Sequence, residues 1–208
     1  MNIFYISSSS FPSRRANAVH VTSMCRALNN LGHYVYLFVK SEGNNIKNFI
    51  INNYEIKSSL TQIIETKTFF RRGTEFFIAI TALIKYLSLK RSQKKSYVII
   101  SRNLFAAYFL SILHNKKIIY ETHTKEVGFI RELVQKILLK SNNVRVAVIT
   151  NALKKILVSN FNLQNHNIDV YPDAAFDRGE PIKNQIKIIK REKFFSYYKK
   201  KIKNFDYF

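Results

Sequence analysis

The chain has 208 residues, of which 47% are hydrophobic, and this composition indicates a folded globular domain rather than a disordered segment. Its single cysteine, Cys25, excludes a disulfide framework and a zinc cluster and is typical of the reducing cytoplasm. The formal net charge of +21 has three interpretations: a compositional bias toward lysine, attraction to an anionic membrane surface, or nucleic-acid binding. The basic residues are dispersed and form no recognisable nucleic-acid module, so we expect no nucleic-acid partner.

A strand–helix–strand unit opens the chain. Ile3–Ile6 and Tyr34–Val39 are continuous apolar runs, as in strands that are buried on both faces of a sheet. Between them, apolar residues recur every three or four positions over Ala18–Leu31, which predicts a helix. We expect Asn17 to cap the start of this helix and Gly32 to follow its end in a left-handed conformation. The predicted buried face consists of Val21, Met24, Cys25, Leu28 and Leu31.

Strands and helices continue to alternate along the chain. This alternation predicts an α/β, Rossmann-like fold: a mostly parallel sheet of about seven strands with helices on both faces. The five later strands are predicted over Thr61–Thr66, Tyr97–Ser101, Lys117–Glu121, Val144–Thr150 and Ile168–Tyr171. The later helices are predicted over Ile46–Ile51, Thr74–Lys90, Asn103–His114, Lys125–Lys140 and Asn151–Phe161.

Two of these helices carry predicted apolar faces. Phe77, Ile80, Ile84 and Leu87 share one side of the helix over Thr74–Lys90. The helix over Lys125–Lys140 is expected to bury Phe129, Leu133, Ile137 and Leu138. After Asp177 the sequence becomes rich in lysine, so we expect one domain over residues 1–178 and a basic tail over 179–208 that is helical or frayed.

Several stretches of the sequence resemble one protein family. FYISSSSFPSRRANAVHVTSMCRALNNLGHYVYLF is similar to the opening of family 4 glycosyltransferases of the two-domain GT-B fold. The likeness resumes at SYVIISRN, KIIYETHTKEVG, RVAVITNALKKILV and IDVYPDAAFD, and it covers roughly residues 1–178. The resemblance implies transfer of a sugar from a nucleotide-sugar to a hydroxyl acceptor, with retention at the anomeric carbon. It also implies that these residues form the N-terminal, acceptor-side domain, and that the C-terminal donor-binding domain is missing.

The candidate site lies in the loops after the strands, because ligands of open parallel sheets bind beyond the carboxyl ends of the strands. The resemblance places His123 in the cleft near the transferred sugar, so His123 is the candidate catalytic residue. The alternative is a histidine that caps the end of its strand or the helix that follows. Glu121, two residues earlier, either orients a neighbour or pairs with a lysine. The candidate substrate-binding residues are Ser13, Arg14, Arg15, Asn17, His20, Arg102, Asn103, Thr124 and Asn151.

Several of these residues also have a purely structural interpretation. The first loop lacks the glycine that lets backbone amides approach a diphosphate in many family members. Arg14 and Arg15 could instead supply side-chain anion contacts, or form only an exposed basic loop. Asn103 and Asn151 could be helix N-caps, and His20 a structural histidine. No metal-ligand spacing, nucleophile–base triad or phosphate-binding loop is recognisable, so we expect no metal and no tightly bound cofactor; the nucleotide-sugar is the donor substrate.

The functional prediction is therefore a glycosyltransferase-like protein that acts on a sugar or a lipid-linked acceptor and is incomplete alone. A separate donor-binding chain would complete it if it is one subunit of a split transferase. The remaining alternatives are a non-catalytic docking module and an inactive remnant. The segment Phe69–Lys95 sets apolar residues between basic clusters, which fits either an ordinary core helix or an edge that rests on an anionic membrane. We expect a cytoplasmic protein, peripheral on the inner face of the membrane in the second case.

Overall fold

The computed structural model describes residues 1–13, 15–67, 73–89, 96–163 and 167–171. The predicted basic tail over 179–208 lies outside the described residues. Met1–Pro172 form one compact unit. In chain order the strands are β1 (Asn2–Phe11), β2 (Tyr34–Ser41), β3 (Thr61–Lys67), β4 (Tyr97–Ser101), β5 (Ile118–Thr122), β6 (Val144–Val148) and β7 (Ile168–Val170). The helices are α1 (Ala16–Asn30), α2 (Ile46–Tyr54), α3 (Thr74–Leu87), α4 (Leu104–Tyr108), α5 (Phe129–Lys140) and α6 (Asn151–Phe161).

The seven strands form one parallel sheet in the order β3-β2-β1-β4-β5-β6-β7. The predicted α/β, Rossmann-like fold is therefore confirmed. Chain order reverses at β1, which lies between β2 and β4, and Ile6 is opposite Phe38 on one side and Ser101 on the other. In sheets of this topology the reversal opens a crevice at the carboxyl ends of the central strands. A ligand is therefore expected to bind at the loops that follow β1, β4 and β5.

Helices cover both faces of the sheet. On one face, α1 packs on β1 and β2 through Val21, Met24, Cys25 and Leu28, which are buried as their spacing predicts. On the other face, the side chains of α3, α4, α5 and α6 form one apolar core with Phe4, Ile6 and the residues of the later strands that point to the same face of the sheet. Helix α4 continues directly as a π-helical turn over Phe109–Leu113.

The two ends of α1 differ in how well they were predicted. Gly32 has φ of +79°, and the amides of Gly32 and His33 donate to the carbonyls of Asn29 and Leu28, which is a Schellman motif. The left-handed position of Gly32 is thus confirmed. Asn17 is not the N-cap, because the helix begins at Ala16 and leaves Asn17 exposed in its first turn.

Strand β1 is longer than the predicted Ile3–Ile6. The polar residues after Ile6 do not form a loop: Ser7 and Ser9 are buried, their hydroxyls lie 2.9 Å apart, and the amide of Ser9 donates to Oγ of Ser7 at 3.1 Å. The pairing with β2 is irregular between Ile6 and Ser10, and Phe11 is fully buried. The serines satisfy one another's polar groups, so this part of the strand stays buried without apolar side chains.

The predicted apolar faces of α3 and α5 do not point into the core. In α3, Phe77, Ile84 and Leu87 are 43%, 62% and 47% exposed, whereas Ile78 and Ala82 are buried. In α5, Phe129 and Leu133 are 85% and 47% exposed, so the prediction that they are buried is wrong. Only Leu138 of the predicted α5 stripe is fully buried, and Gln135 and Leu139 join it in the interior.

Candidate functional site

A buried cluster of polar side chains lies at the carboxyl edge of β1, β4 and β5. Glu121 is the penultimate residue of β5, and it meets Tyr5 of β1 and His20 of α1. Arg102 directly follows β4, and His123 directly follows β5. We call Tyr5, His20, Arg102, Glu121 and His123 the Glu121 cluster. The three adjacent strands β1, β4 and β5, and helix α1, which packs on β1, hold these groups, so the positions of the side chains are set by the sheet.

Glu121 is the acidic centre of the Glu121 cluster. Its side chain is 6% exposed and accepts a 3.2 Å hydrogen bond from the hydroxyl of Tyr5. The same oxygen, Oε2, lies 3.9 Å from Nε2 of His20 and 3.8 Å from Nε of Arg102. Burial and the nearby Glu121 carboxylate raise the pKa of Tyr5, so the phenol stays protonated and donates. The carboxylate is therefore positioned by a neutral donor and two basic side chains.

Arg102 connects Glu121 to His123. Nη2 of Arg102 lies 2.7 Å from Nε2 of His123, and the arginine side chain is only 8% exposed. The rings of His20 and His123 meet edge to face, with centroids 5.7 Å apart and planes at 85°. Nη1 of Arg102 is buried and has no hydrogen-bond partner within the described part of the chain. Burying a guanidinium nitrogen without a hydrogen-bond partner is unfavourable. Such unsatisfied buried groups are rare in general and are expected mainly at functional sites.

Of the predicted substrate-binding residues, the structure brings His20 and Arg102 to His123. The first-loop residues lie apart from this cluster: Ser13 accepts a 3.2 Å hydrogen bond from the amide of Arg15, and its carbonyl accepts from the hydroxyl of Tyr54. Arg15 and Asn17 are exposed. Arg14 lies outside the described residues.

Asn103 follows Arg102 but serves the fold. Its side chain is completely buried; Oδ1 accepts from the amide of Ala106 at 2.9 Å, which makes Asn103 the N-cap of α4. Its amide nitrogen donates to Oγ of Ser8 at 3.0 Å and to the carbonyl of Glu75 at 2.8 Å. Both polar atoms of the Asn103 side chain are thus engaged within the domain.

Thr124 and Asn151 also lie apart from the Glu121 cluster. Thr124 is exposed, and its carbonyl accepts hydrogen bonds from Oγ1 of Thr122 and Nε2 of Gln135. The N-cap of α6 is Thr150, whose hydroxyl accepts from the amide of Leu153, and Asn151 is the exposed first residue of that helix.

Sequence reasoning left the role of Glu121 open and missed Tyr5. Both residues carry polar groups within strands that are otherwise apolar, in the stretches IFYIS and IIYET. A carboxylate in a buried strand requires a partner, and a tyrosine hydroxyl in the neighbouring run is an eligible donor. That signal was present in the sequence, but the strand order that makes β5 a near neighbour of β1 was not.

A second feature near this edge is a group of exposed apolar side chains. Phe76 and Phe77 at the start of α3 are each 43% exposed, and Val127, Phe129 and Ile130 around the start of α5 are 81%, 85% and 67% exposed. The two helix starts are joined by a 2.6 Å ion pair between Arg131 and Glu75. We call these five apolar residues the apolar rim.

Neither a metal site nor a membrane span is evident in the described residues. Within those ranges, His, Cys, Asp and Glu side chains form no group of three that could hold a metal ion. Among the helices that the structure describes, none combines the length and the apolar character that crossing a bilayer requires.

Comparison with known proteins supports the fold. No family model matches the sequence, and no curated protein matches it. Among solved structures, the chain is similar to a UDP-glycosyltransferase from Arabidopsis thaliana that was crystallised with quercetin, with a TM-score of 0.55 at 9% sequence identity. The match covers 86% of this chain and 52% of the plant enzyme, so the chain spans about half the length of that neighbour. The fold is therefore glycosyltransferase-like.

Proposed function

We propose that this glycosyltransferase-like domain is the acceptor side of a sugar-transferring enzyme of the family 4, retaining type. The reaction would move a sugar from a nucleotide-sugar to a hydroxyl of a glycan or of a lipid-linked glycan. The observation that carries the proposal is the pairing of His123 with Arg102 at the carboxyl edge of the central strands. This edge is where ligands bind in sheets of this topology.

The chemistry of the Glu121 cluster suits a polyhydroxyl ligand. Sugars are recognised by directional hydrogen bonds, and His123, which is partly exposed, can reach a ligand while Arg102 and Glu121 hold it from behind. Among the predicted residues, His123 is thus the proposed catalytic group in direct contact with the ligand. His20, whose ring packs against that of His123, is proposed to border the same subsite.

Sugar transfer would require a second domain that binds the donor. Orientation of donor and acceptor supplies about 7–11 kcal/mol of barrier lowering, and the departing diphosphate needs fixed positive charge. We propose that a second, donor-binding domain provides both, either in a longer form of the chain or in a separate subunit. A non-catalytic docking module is the alternative, and it predicts binding to the same site with no transfer when the second domain is supplied.

Histidine NMR tests the proposed site. Adding neutral monosaccharides at millimolar concentration should shift the ring signals of His123 in a saturable way, and His123→Ala should abolish this binding. His114→Ala is the matched control, because His114 is exposed, lies outside the Glu121 cluster and packs against Tyr86. Signals of His123 that do not respond to any hexose, or a loss of binding in His114→Ala alone, would contradict the proposed site.

We also propose that an anionic membrane surface is a partner, with the protein on the inner, cytoplasmic face of the membrane. The apolar rim would insert among the lipid headgroups, and the net charge of +21 would attract the domain to the surface. Phe129→Ser should weaken binding to vesicles that contain anionic phospholipid, and added salt should weaken it further. Ile156→Ser, which removes a 45% exposed isoleucine from α6, is the control. Equal loss of binding in both variants would refute the role of the apolar rim, and binding that is insensitive to salt would refute the electrostatic attraction.

A further inference from the structure

Arg102 is held in place before any ligand arrives. Its amide donates to the carbonyl of Ile6 at 2.8 Å, which anchors the residue at the junction of β1 and β4. Its side chain is only 8% exposed, so its position is set by packing against the protein rather than by solvent. The group that faces His123 therefore has little freedom to turn away.

The contact between Arg102 and His123 determines where the imidazole carries its proton. A guanidinium has five N–H donors and no acceptor, and it does not deprotonate in proteins. Nη2 lies 2.7 Å from Nε2 of His123, which is a hydrogen-bond distance. Nε2 must therefore present its lone pair, and the proton of the neutral ring must be on Nδ1.

Glu121 holds Arg102 in the orientation that makes this contact. Oε2 of Glu121 lies 3.8 Å from Nε of Arg102, and Oε2 in turn accepts a hydrogen bond from the hydroxyl of Tyr5. A chain of contacts thus runs from Tyr5 through Glu121 and Arg102 to His123. Nη1 of Arg102 is buried and has no hydrogen-bond partner among the described residues.

We propose that Arg102, backed by Glu121, is a positioning residue that fixes His123 as the neutral tautomer protonated on Nδ1. In this form the lone pair of Nε2 is engaged by Arg102, so the ring cannot take a proton from a ligand and can act toward a ligand oxygen atom only as an N–H donor. The identity of that oxygen as a sugar oxygen rests on the proposed function. The tautomer itself does not, because it follows from the contacts of the free protein.

The tautomer can be measured directly in the unmodified full chain. Long-range proton–nitrogen correlation spectra of the histidine-labelled protein at about pH 8, where an ordinary imidazole is neutral, distinguish a protonated ring nitrogen from an unprotonated one. The His123 signals are assigned by their loss in His123→Ala. We expect an unprotonated Nε2 and a protonated Nδ1. A protonated Nε2 in the wild-type chain would overturn the proposal without any variant.

Two substitutions separate positioning from general structural support. Arg102→Met removes the donor and should shift His123 toward protonation on Nε2, whereas Arg102→Lys keeps a cationic donor and should restore the Nδ1–H form. Arg26→Met is the matched control, because Arg26 pairs with the exposed Glu55 at 2.5 Å and should leave the His123 spectrum unchanged. If Arg102→Met does not fold, the wild-type and Arg102→Lys spectra decide; an unaltered tautomer in folded Arg102→Met would refute the role of Arg102. Failure of sugar binding with the expected tautomer would count only against the proposed function.

Discussion

Replacing Glu121 with glutamine should destabilise the domain far more than an ordinary glutamate substitution does. The change removes one negative charge and keeps the shape, so the buried guanidinium of Arg102 loses its anion at 3.8 Å. At that separation, with an effective dielectric constant of about 20, the charge–charge attraction is about 4 kcal/mol. Breaking a buried pair by removing one partner typically costs about 3–5 kcal/mol. Glutamine can still accept from Tyr5, so we expect a loss of about 3 kcal/mol in the free energy of unfolding.

Urea unfolding followed by circular dichroism measures this loss, with the slope compared between variants to detect a change in the surface exposed. Glu55→Gln is the matched control, because it makes the same chemical change in an ion pair whose glutamate is 77% exposed. Solvent screening limits the loss in that control to about 0.5 kcal/mol. A loss for Glu121→Gln that equals the loss for Glu55→Gln would refute the buried, charge-paired arrangement of the Glu121 cluster.

Two further predictions concern Asn103 and the buried tyrosines. Asn103→Ala should lower the free energy of unfolding, measured by urea titration, by about 2–3 kcal/mol, because it removes the N-cap of α4 and two hydrogen-bond donations. Asn151→Ala, at an exposed position, is the control and should change the free energy of unfolding by less than about 0.5 kcal/mol. Burial raises the pKa of both Tyr5 and Tyr120, so the folded state keeps protons that the unfolded chain releases above about pH 10. The contribution of these two tyrosines to stability should therefore be constant below pH 10 and fall above it by up to about 1.4 kcal/mol per pH unit for each tyrosine, and an unfolding midpoint independent of pH from 10 to 12 would contradict their burial.

The strand pattern could be predicted from the sequence because the parallel strands are buried on both faces. Runs such as Tyr97–Ser101 are apolar throughout, and every residue of that strand is buried. Prediction failed at β1, where the serines after Ile6 read as a loop. Their hydrogen bonds to one another depend on tertiary burial, which no local pattern records.

The helix faces show a different limit. Spacing correctly grouped Phe77, Ile84 and Leu87 on one side of α3, but periodicity cannot say which side faces the sheet when both sides are apolar. The core side of α3 combines Ile78 and Tyr86 with the small residues Ala79 and Ala82, which allow the helix to approach the sheet closely.

The sequence predicted where the candidate site lies, but not which of its side chains contact one another. The rule that loops at the carboxyl edge hold the site selected His20, Arg102 and His123, and these three residues do meet. Asn103 also lies at the carboxyl edge, but its side chain is buried and caps the start of α4. The link through Tyr5 and Glu121 could not be predicted, because it depends on strand order and on side-chain direction within the sheet.

The most direct test of the account is nucleotide-sugar turnover by purified residues 1–208, assayed alone and with a donor-binding chain, together with His123→Ala. The account predicts no turnover by residues 1–208 alone, because the proposed donor-binding domain is absent from that assay. It predicts transfer to the acceptor when the donor-binding chain is supplied. His123→Ala should then lower the turnover rate about tenfold or more at unchanged stability. Turnover by residues 1–208 alone, or transfer by the assembled pair that is indifferent to His123, would contradict the assignment of this domain as the acceptor side.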